Sequence, residues 1–168
     1  AFSVLWTAGA AATLDGLALL TGRKATSENV EPMSFALAEA GRQRSAGEVL
    51  ISMAILQRLA REWAKQRDDL DVLVTPTLAQ PPVPLGSFDL ADNPLAGLFL
   101  AAEFAPFTPV QNMTGEPAAN VPLTWNADGL PIGVQLVGRY GDEATLFRLP
   151  AQLEQARPWA ERIPPPAR

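Results

Sequence analysis

Two threonines near the end of an apolar run are the first residues in this sequence that could contact a ligand. The run Asp-Val-Leu-Val-Thr at 71–75 is typical of a strand covered on both faces in a parallel or mixed sheet, and Pro76 ends it. Ligands of open α/β sheets bind at the carboxyl ends of strands, so Thr75 and Thr77 could line a pocket. The alternative stays open that their hydroxyl groups cap a turn before a proline-rich loop.

Composition excludes several kinds of chemistry. The 168 residues include no Cys, and therefore no thiolate nucleophile, and no His, the commonest general base and metal ligand. The neighbouring carboxylates Asp68/Asp69 and Asp142/Glu143 project in different directions on a helix and lack metal-ligand spacing. The glycines at 138–141 are interpreted as a strand-to-helix turn, not as a phosphate loop. We therefore predict neither a metal nor a cofactor.

Charge and hydropathy limit the partners. A net charge of −5 disfavours a nucleic-acid partner, which would need a basic face. Residues 2–20 are apolar, but no basic residues precede them and Asp15 and Gly16 interrupt them, so a buried helix of a soluble protein is predicted instead of a membrane span. The absence of Cys fits a reducing compartment. We expect a cytoplasmic chain with no membrane partner.

Three helices are predicted in residues 1–69, which we expect to be mainly helical. Helical spacing predicts the first from Phe2 to about Leu20, the second from Pro32 to Gly41 and the third from Ala46 to about Arg67. Ser45 and Glu48 have capping-box spacing before the third helix. The third helix carries two apolar stripes, which predict burial on two sides. The stripes are Val49, Met53, Leu56, Ala60 and Trp63, and Ile51, Ile55 and Leu59.

Residues 70–160 are predicted to form the sheet. A turn at 112–117 precedes strands at 118–125 and 132–138, and the polar connection at 126–129 makes these two strands an antiparallel hairpin. A helix follows from Asp142, and Pro150 should kink or interrupt it. Residues 161–168 are expected to be an extended or disordered tail. The sequence thus predicts an α/β fold, with a mixed β-sheet covered by helices after an N-terminal helical segment.

Three of these segments also carry a family resemblance. They are DVLVTPT at 71–77, PFTPVQNMTGEPAANVPLTWNADGLPIGVQLVGR at 106–139 and GDEATLFRL at 141–149. As an ordered set they resemble the C-terminal third of the amidase signature family, whose members hydrolyse amide bonds with a Ser-cisSer-Lys triad. Within that family they are most similar to hydrolases of cyclic or linear amides, such as the 6-aminohexanoate cyclic dimer hydrolases. The resemblance implies the amidase-signature fold.

The triad of that family is not found in these residues. Its mechanism needs a nucleophilic Ser in a Gly/Ser-rich loop, a second Ser, and a Lys kept neutral by burial. None of the six serines adjoins another or stands in such a loop, and Lys24 and Lys65 are predicted to be solvated. We therefore assign no catalytic residue and expect the chain alone to be inactive.

The resemblance implies that this part of the fold supplies walls of a substrate pocket. The substrate-binding candidates are Thr75, Asn112 and Thr114, with Phe107, Gln111 and the loop at 81–93 as further wall positions. The Asn112 side chain offers donors and an acceptor to a small-molecule amide substrate. Its alternative role is to bond its own backbone in a turn.

These observations predict the C-terminal portion of an amidase-signature amide hydrolase that provides scaffold and pocket walls. The apolar first helix, the doubly striped third helix and the sheet edges need cover. A missing N-terminal half or self-association is therefore expected. The alternatives are a non-catalytic, self-associating or complementing module derived from an amidase, and a truncated gene product with no selected function.

Overall fold

The computed structural model describes residues 1–90 and 92–163. The chain divides into two compact units. The first consists of Ala1–Trp63 and Val83–Phe104, and the second of Ala64–Pro82 and Ala105–Arg168. The regular elements of the first unit are helices, and the sheet lies in the second.

Three helices of the first unit begin and end close to their predicted positions. They are α1 (Phe2–Thr21), α2 (Pro32–Arg42) and α3 (Ala46–Lys65), the last two residues of which belong to the second unit. The fourth is α4 (Pro94–Phe104). The predicted capping box of α3 is confirmed, because Ser45 Oγ accepts from Glu48 N at 3.2 Å and Glu48 Oε2 accepts from Ser45 N at 2.8 Å.

The α1–α2 contact is the main packing interaction of these two helices. A Cβ atom at Gly41 of α2 would overlap the carbonyl group of Thr7 in α1, so the two backbones can approach only because residue 41 is glycine. Ala38, one turn earlier on α2, is fully buried. Arg42 Nη2 donates to Asp15 Oδ1 at 2.6 Å and adds an ion pair between α2 and α1.

The predicted burial of α3 on two sides is not found, and α1 is covered less than the prediction of a buried helix implies. Only one face of each is buried, Thr7 and Ala11 on α1 and Ser52 and Leu56 on α3. The second stripe of α3 is exposed, because no described element covers it. Its members are Ile51, Ile55 and Leu59, with exposed fractions of 63%, 36% and 47%.

The length and composition of α1 match those of a membrane-crossing helix. Among the described residues it is the one helix that does so, with a mean hydropathy of 1.4. A core helix of a soluble protein has the same properties.

The second unit is built on a three-stranded antiparallel sheet in the order β1-β3-β2. The strands are β1 (Val72–Pro76), β2 (Ala118–Trp125) and β3 (Pro131–Gly138). The predicted hairpin between β2 and β3 is confirmed. Asn126 Oδ1 accepts from the backbone of Asp128 and Leu130, and Gly129 supplies the positive φ of 78° that the turn needs.

Two helices complete this unit, α5 (Pro109–Thr114) and α6 (Glu143–Ala156). Leu146 of α6 packs with Val121 and Leu136 of the sheet to form the buried core. Around this cluster lie partly buried apolar residues, namely Val72, Ala119, Leu123, Val134, Leu149, Leu153 and Trp159. Helices over an antiparallel sheet confirm the predicted fold class, although no parallel pair occurs among the described strands.

Two predictions about β1 and residue 112 are wrong. β1 is an edge strand with Val74 59% exposed, so its apolar run does not indicate cover on both faces. Residue 112 lies inside α5 and not in a turn, because Gly115, at φ 74°, is the left-handed residue that ends this helix.

The predicted interruption at Pro150 is also not found, since α6 continues through it to Ala156. Proline removes only its own N–H donor, while Leu149 and Leu153 on either side pack against the core and hold the helix in place. Residues 161–163 are irregular and exposed, and the remainder of the predicted tail, 164–168, lies outside the described residues.

The close approach at Gly41 makes a direct prediction about stability. Gly41→Ala should lower the free energy of unfolding by about 1–3 kcal/mol, because the new methyl group must push α1 away from α2. Gly9→Ala in α1 is the matched control, since its Cβ meets open space and removes a helix-interior glycine, which should raise stability by up to about 1 kcal/mol. Urea titrations measure both. Equal effects of the two substitutions would contradict the packing described.

The cap of α6 predicts a dependence of stability on pH. Thr145 donates its hydroxyl and its backbone N–H to the Asp142 carboxylate, which holds the pKa of that carboxyl below its ordinary value of 3.8. Because the folded pKa is lowered, the cap stabilises the fold above this value and the contribution is lost as the pH falls through the folded pKa. Asp142→Asn keeps an acceptor that does not titrate, so its unfolding free energy should fall less steeply with acid.

Gln152→Asn is the control for this comparison, because it changes an exposed side chain of the same helix without adding or removing a titratable group. Urea titrations at a series of pH values should show the same dependence of its unfolding free energy on pH as for the unmodified chain. Identical slopes for Asp142→Asn and the unmodified chain would refute the linkage.

Candidate functional site

The sheet face opposite α6 carries a row of polar side chains. The strand register pairs Thr75 of β1 with Gln135 of β3, and Gln135 with Asn120 of β2. Successive side chains of a strand point to opposite faces, so these three lie on the face that Leu136 does not share. The register therefore places three hydrogen-bonding side chains next to one another across the sheet.

Gln135 is the buried centre of this row, with only 4% of its surface exposed. Its Nε2 atom donates to Thr75 Oγ1 at 3.1 Å, and the side-chain amide of Gln111 lies 3.4 Å from it. A buried amide without partners would destabilise the fold, so these contacts fix the Gln135 side chain. Gln135 in turn orients the hydroxyl group of Thr75.

Thr77 and Asn120 form a second polar contact at the open end of the row. Thr77 Oγ1 donates to Asn120 Oδ1 at 2.5 Å, and Thr77 N donates to the carbonyl oxygen of Gly133 at 3.1 Å. A Cβ atom at Gly133 would overlap Asn120 Oδ1 and lie 2.9 Å from Thr77 Oγ1. The pair can form only because residue 133 is glycine.

This pair lies in the wall of a cleft of about 700 Å³ within the second unit. Most of the lining is apolar, and none of the lining residues carries a charge. The apolar and small residues are Pro76, Leu78, Ala79, Pro81, Pro82, Phe107, Pro122, Pro131, Ile132 and Gly133, and the polar ones are Thr77, Gln80 and Asn120. A largely apolar concavity with a few polar groups is the usual form of a small-molecule site.

Thr114 belongs neither to the polar row nor to the cleft, and its hydroxyl bonds a charged side chain. Its hydroxyl donates to Glu116 Oε2 at 3.1 Å, and Glu116 forms an ion pair with Arg67. The two charged side chains are only 5% and 13% exposed, and burial lowers the pKa of the Arg67 guanidinium. Removing one member of such a pair typically costs about 3–5 kcal/mol. The pair therefore anchors the segment after α5 to residue 67.

The structure brings together some of the predicted site residues and not others. Thr75 lies in the polar row, while Thr77 and Phe107 line the cleft. Asn112 is exposed on α5, and neither Asn112 nor Thr114 lines the cleft. From the predicted loop at 81–93, Pro81 and Pro82 are lining residues.

Asn120 and Gln135 are site residues that sequence reasoning missed. Each is a polar side chain within a strand that is otherwise rich in apolar residues, and this contrast is the signal in the sequence that could have identified them. The contrast alone does not show that they face each other, because that depends on the strand register.

The described residues provide binding groups but no nucleophile with an adjacent base. Lys24 and Lys65 are both exposed, and no described serine hydroxyl bonds a lysine. Ser45 bonds Glu48 and Ser87 Oγ donates to the carbonyl oxygen of Pro84. Likewise, no group of three or more His, Cys, Asp or Glu side chains in the described ranges is placed to hold a metal ion.

Comparison with known sequences identifies relatives over most of the chain. The family described as Amidase matches residues 2–147. AmiB2 of Mycobacterium tuberculosis, named as an amidase, is 50% identical over 97 residues, which are 58% of this chain and 21% of that protein. AmiC of Mycobacterium bovis, also named as an amidase, is 37% identical over 144 residues, 83% of this chain and 30% of that protein. The chain thus spans less than a third of either relative.

Comparison with solved structures identifies amidases with a similar fold. 6-Aminohexanoate cyclic dimer hydrolase superposes with a TM-score of 0.81 at 28% identity, covering 91% of this chain and 33% of that one. A bacterial aryl acylamidase of the amidase signature family superposes with a TM-score of 0.69 at 22% identity, over 95% of this chain and 34% of that one, and shows the fold alone. The resemblance predicted from the three sequence segments is confirmed, and the chain belongs to the amidase family.

Proposed function

We propose that this chain supplies scaffold and part of the substrate pocket of an amide hydrolase whose Ser-cisSer-Lys triad lies outside these 168 residues. The observation that carries the proposal is the uncharged cleft with Thr77 and Asn120 in its wall, found in a chain of the amidase family. In the complete enzyme a serine would attack the amide carbonyl to form an acyl-enzyme, and the amine would leave as the C–N bond breaks. Water would then hydrolyse the acyl-enzyme to the carboxylic acid and the free serine.

The predicted substrate-binding residues would have different roles in the complete enzyme. Thr75, oriented by Gln135, lies beside the cleft wall, and Asn112 offers a free side-chain amide from α5. Thr114 would act indirectly, because its bond to Glu116 and the Glu116–Arg67 ion pair hold the segment after α5 in place. The name of 6-aminohexanoate cyclic dimer hydrolase specifies a cyclic amide for that enzyme, which supports a small-molecule amide as the substrate class here.

The proposed partner is either the remaining part of an amidase or a second copy of this chain. The exposed stripe of Ile51, Ile55 and Leu59 on α3 supports this proposal, because apolar surface of this kind favours association. It equally supports the second candidate function, a non-catalytic, self-associating or complementing module. We place either form in the cytoplasm, where a chain without Cys is at no disadvantage.

The location of the triad is tested by activity. The purified chain should neither hydrolyse simple amides and anilides nor be labelled stoichiometrically by a fluorophosphonate, because it offers no activated serine. Mixing or co-expressing it with the part of AmiC outside the matched region should produce amide hydrolysis that neither part shows alone. Stoichiometric labelling of the isolated chain, or no activity in any complemented pair, would overturn the proposal.

The module hypothesis is tested by sedimentation at several protein concentrations. If the α3 stripe mediates self-association, the weight-average mass should rise above the 17.9 kDa of one chain as concentration increases. Ile55→Glu should suppress this rise, because the charge would be buried in the interface. A concentration-independent monomer would refute self-association.

A further inference from the structure

We propose that Asn120 and Thr77 together recognise the amide group of a neutral substrate whose apolar substituent lies in the cleft. The inference rests on the proposed function only for the class of ligand, an amide. The two side chains are in the cleft wall and bonded to each other at 2.5 Å.

The hydrogen-bonding pattern of the pair matches an amide. The side-chain oxygen of Asn120 already accepts from Thr77, and Asn120 Nδ2 has no acceptor among the described residues. Its two N–H groups are therefore available to donate to a ligand carbonyl. The hydroxyl hydrogen of Thr77 is committed to Asn120, which leaves the lone pairs of Thr77 Oγ1 to accept from a ligand N–H.

One donor and one acceptor side by side complement a primary or cis amide group, in which the C=O and an N–H point to the same side. An ester lacks the N–H, and a carboxylate lacks it and adds a charge. The bond from Thr77 also polarises the Asn120 side chain, which strengthens its N–H groups as donors. The pair therefore discriminates among carbonyl compounds that differ by one group.

The geometry of the pair is fixed by β3. Thr77 is held through its backbone N–H to Gly133, and the missing side chain at 133 leaves the space that Asn120 Oδ1 occupies. Groups held in place before a ligand arrives lose little freedom on binding.

The cleft wall selects the substituent. Phe107, Pro122 and Ile132 contribute apolar surface, and no lining side chain could pair with a charged ligand group. Placing an unpaired charge against such a surface is unfavourable, while each buried methylene strengthens binding roughly fourfold. The substrate class is therefore a neutral amide with an aliphatic or aromatic substituent.

The test is a titration of the 168-residue chain with hexanamide, followed by ¹H–¹⁵N NMR. Saturable shifts are expected at the Asn120 side-chain amide and at the backbone N–H of Thr77 and Gly133. Butanamide, two methylenes shorter, should bind roughly fifteenfold more weakly, and hexanoate should bind more weakly than hexanamide.

Matched substitutions assign the effect to the pair. Asn120→Asp removes the donor and should weaken hexanamide binding about tenfold or more, whereas Gln152→Glu makes the same amide-to-carboxylate change on α6, on the other face of the sheet, and should leave the affinity unchanged. Thr77→Val removes the acceptor at constant shape and should act like Asn120→Asp, and Thr77→Ser should restore binding. The spectra of each variant report whether the fold is retained. If Asn120→Asp does not fold, the hexanamide affinities of the two Thr77 variants test the inference.

Absence of saturable shifts at these three residues, or equal affinity in the unmodified chain and in Thr77→Val, would overturn the inference. Its failure is separable from that of the proposed function, because binding requires no nucleophile. Amide binding without complemented hydrolysis would overturn only the function, and complemented hydrolysis without binding at the pair would overturn only the inference.

Discussion

The pairing of β3 with strands on both sides is the constraint on which the second unit depends. Thr75 and Asn120 are 45 residues apart in sequence, and they lie in the same row across the sheet only because each pairs with Gln135. A shift of one residue in either pairing would turn a side chain of the polar row toward α6 and an apolar side chain toward the cleft. The register thus determines at once which residues form the core and which remain available to a ligand.

The two faces of the sheet have different roles. One face buries Leu136 and Val121 under α6, and this apolar packing stabilises the unit. The opposite face holds the buried Gln135, whose Nε2 atom donates to Thr75 Oγ1, and ends in an open cleft whose lining residues carry no charge. Gln135 and Asn120 lie on strands, and Thr77, the residue after β1, is held by the hydrogen bond from its backbone N–H to Gly133.

Local features of the fold could be predicted from the sequence, because each depends on a few neighbouring residues. Ser45 and Glu48 marked the start of α3, and Asn126 and Gly129 marked the β2–β3 turn. At Gly115 the local evidence was ambiguous, since a glycine with positive φ ends a helix as readily as it forms a turn.

The candidate site could be predicted only in part. Thr75 and Thr77 follow from their place at the end of a strand, whereas Asn120 and Gln135 depend on a register that a single sequence does not determine. The cover of α3 was predicted from its stripes, but a stripe shows only that an apolar surface exists and not that this chain covers it. The chain spans 33% of 6-aminohexanoate cyclic dimer hydrolase, so most of that fold has no counterpart here.

A crystal structure of the chain with hexanamide bound would show directly whether the polar end of the sheet face holds an amide. We expect the ligand carbonyl oxygen within hydrogen-bonding distance of Asn120 Nδ2, the ligand nitrogen beside Thr77 Oγ1 and the alkyl chain against Phe107. A ligand bound with its amide group away from both side chains, for example at Asn112, would contradict it.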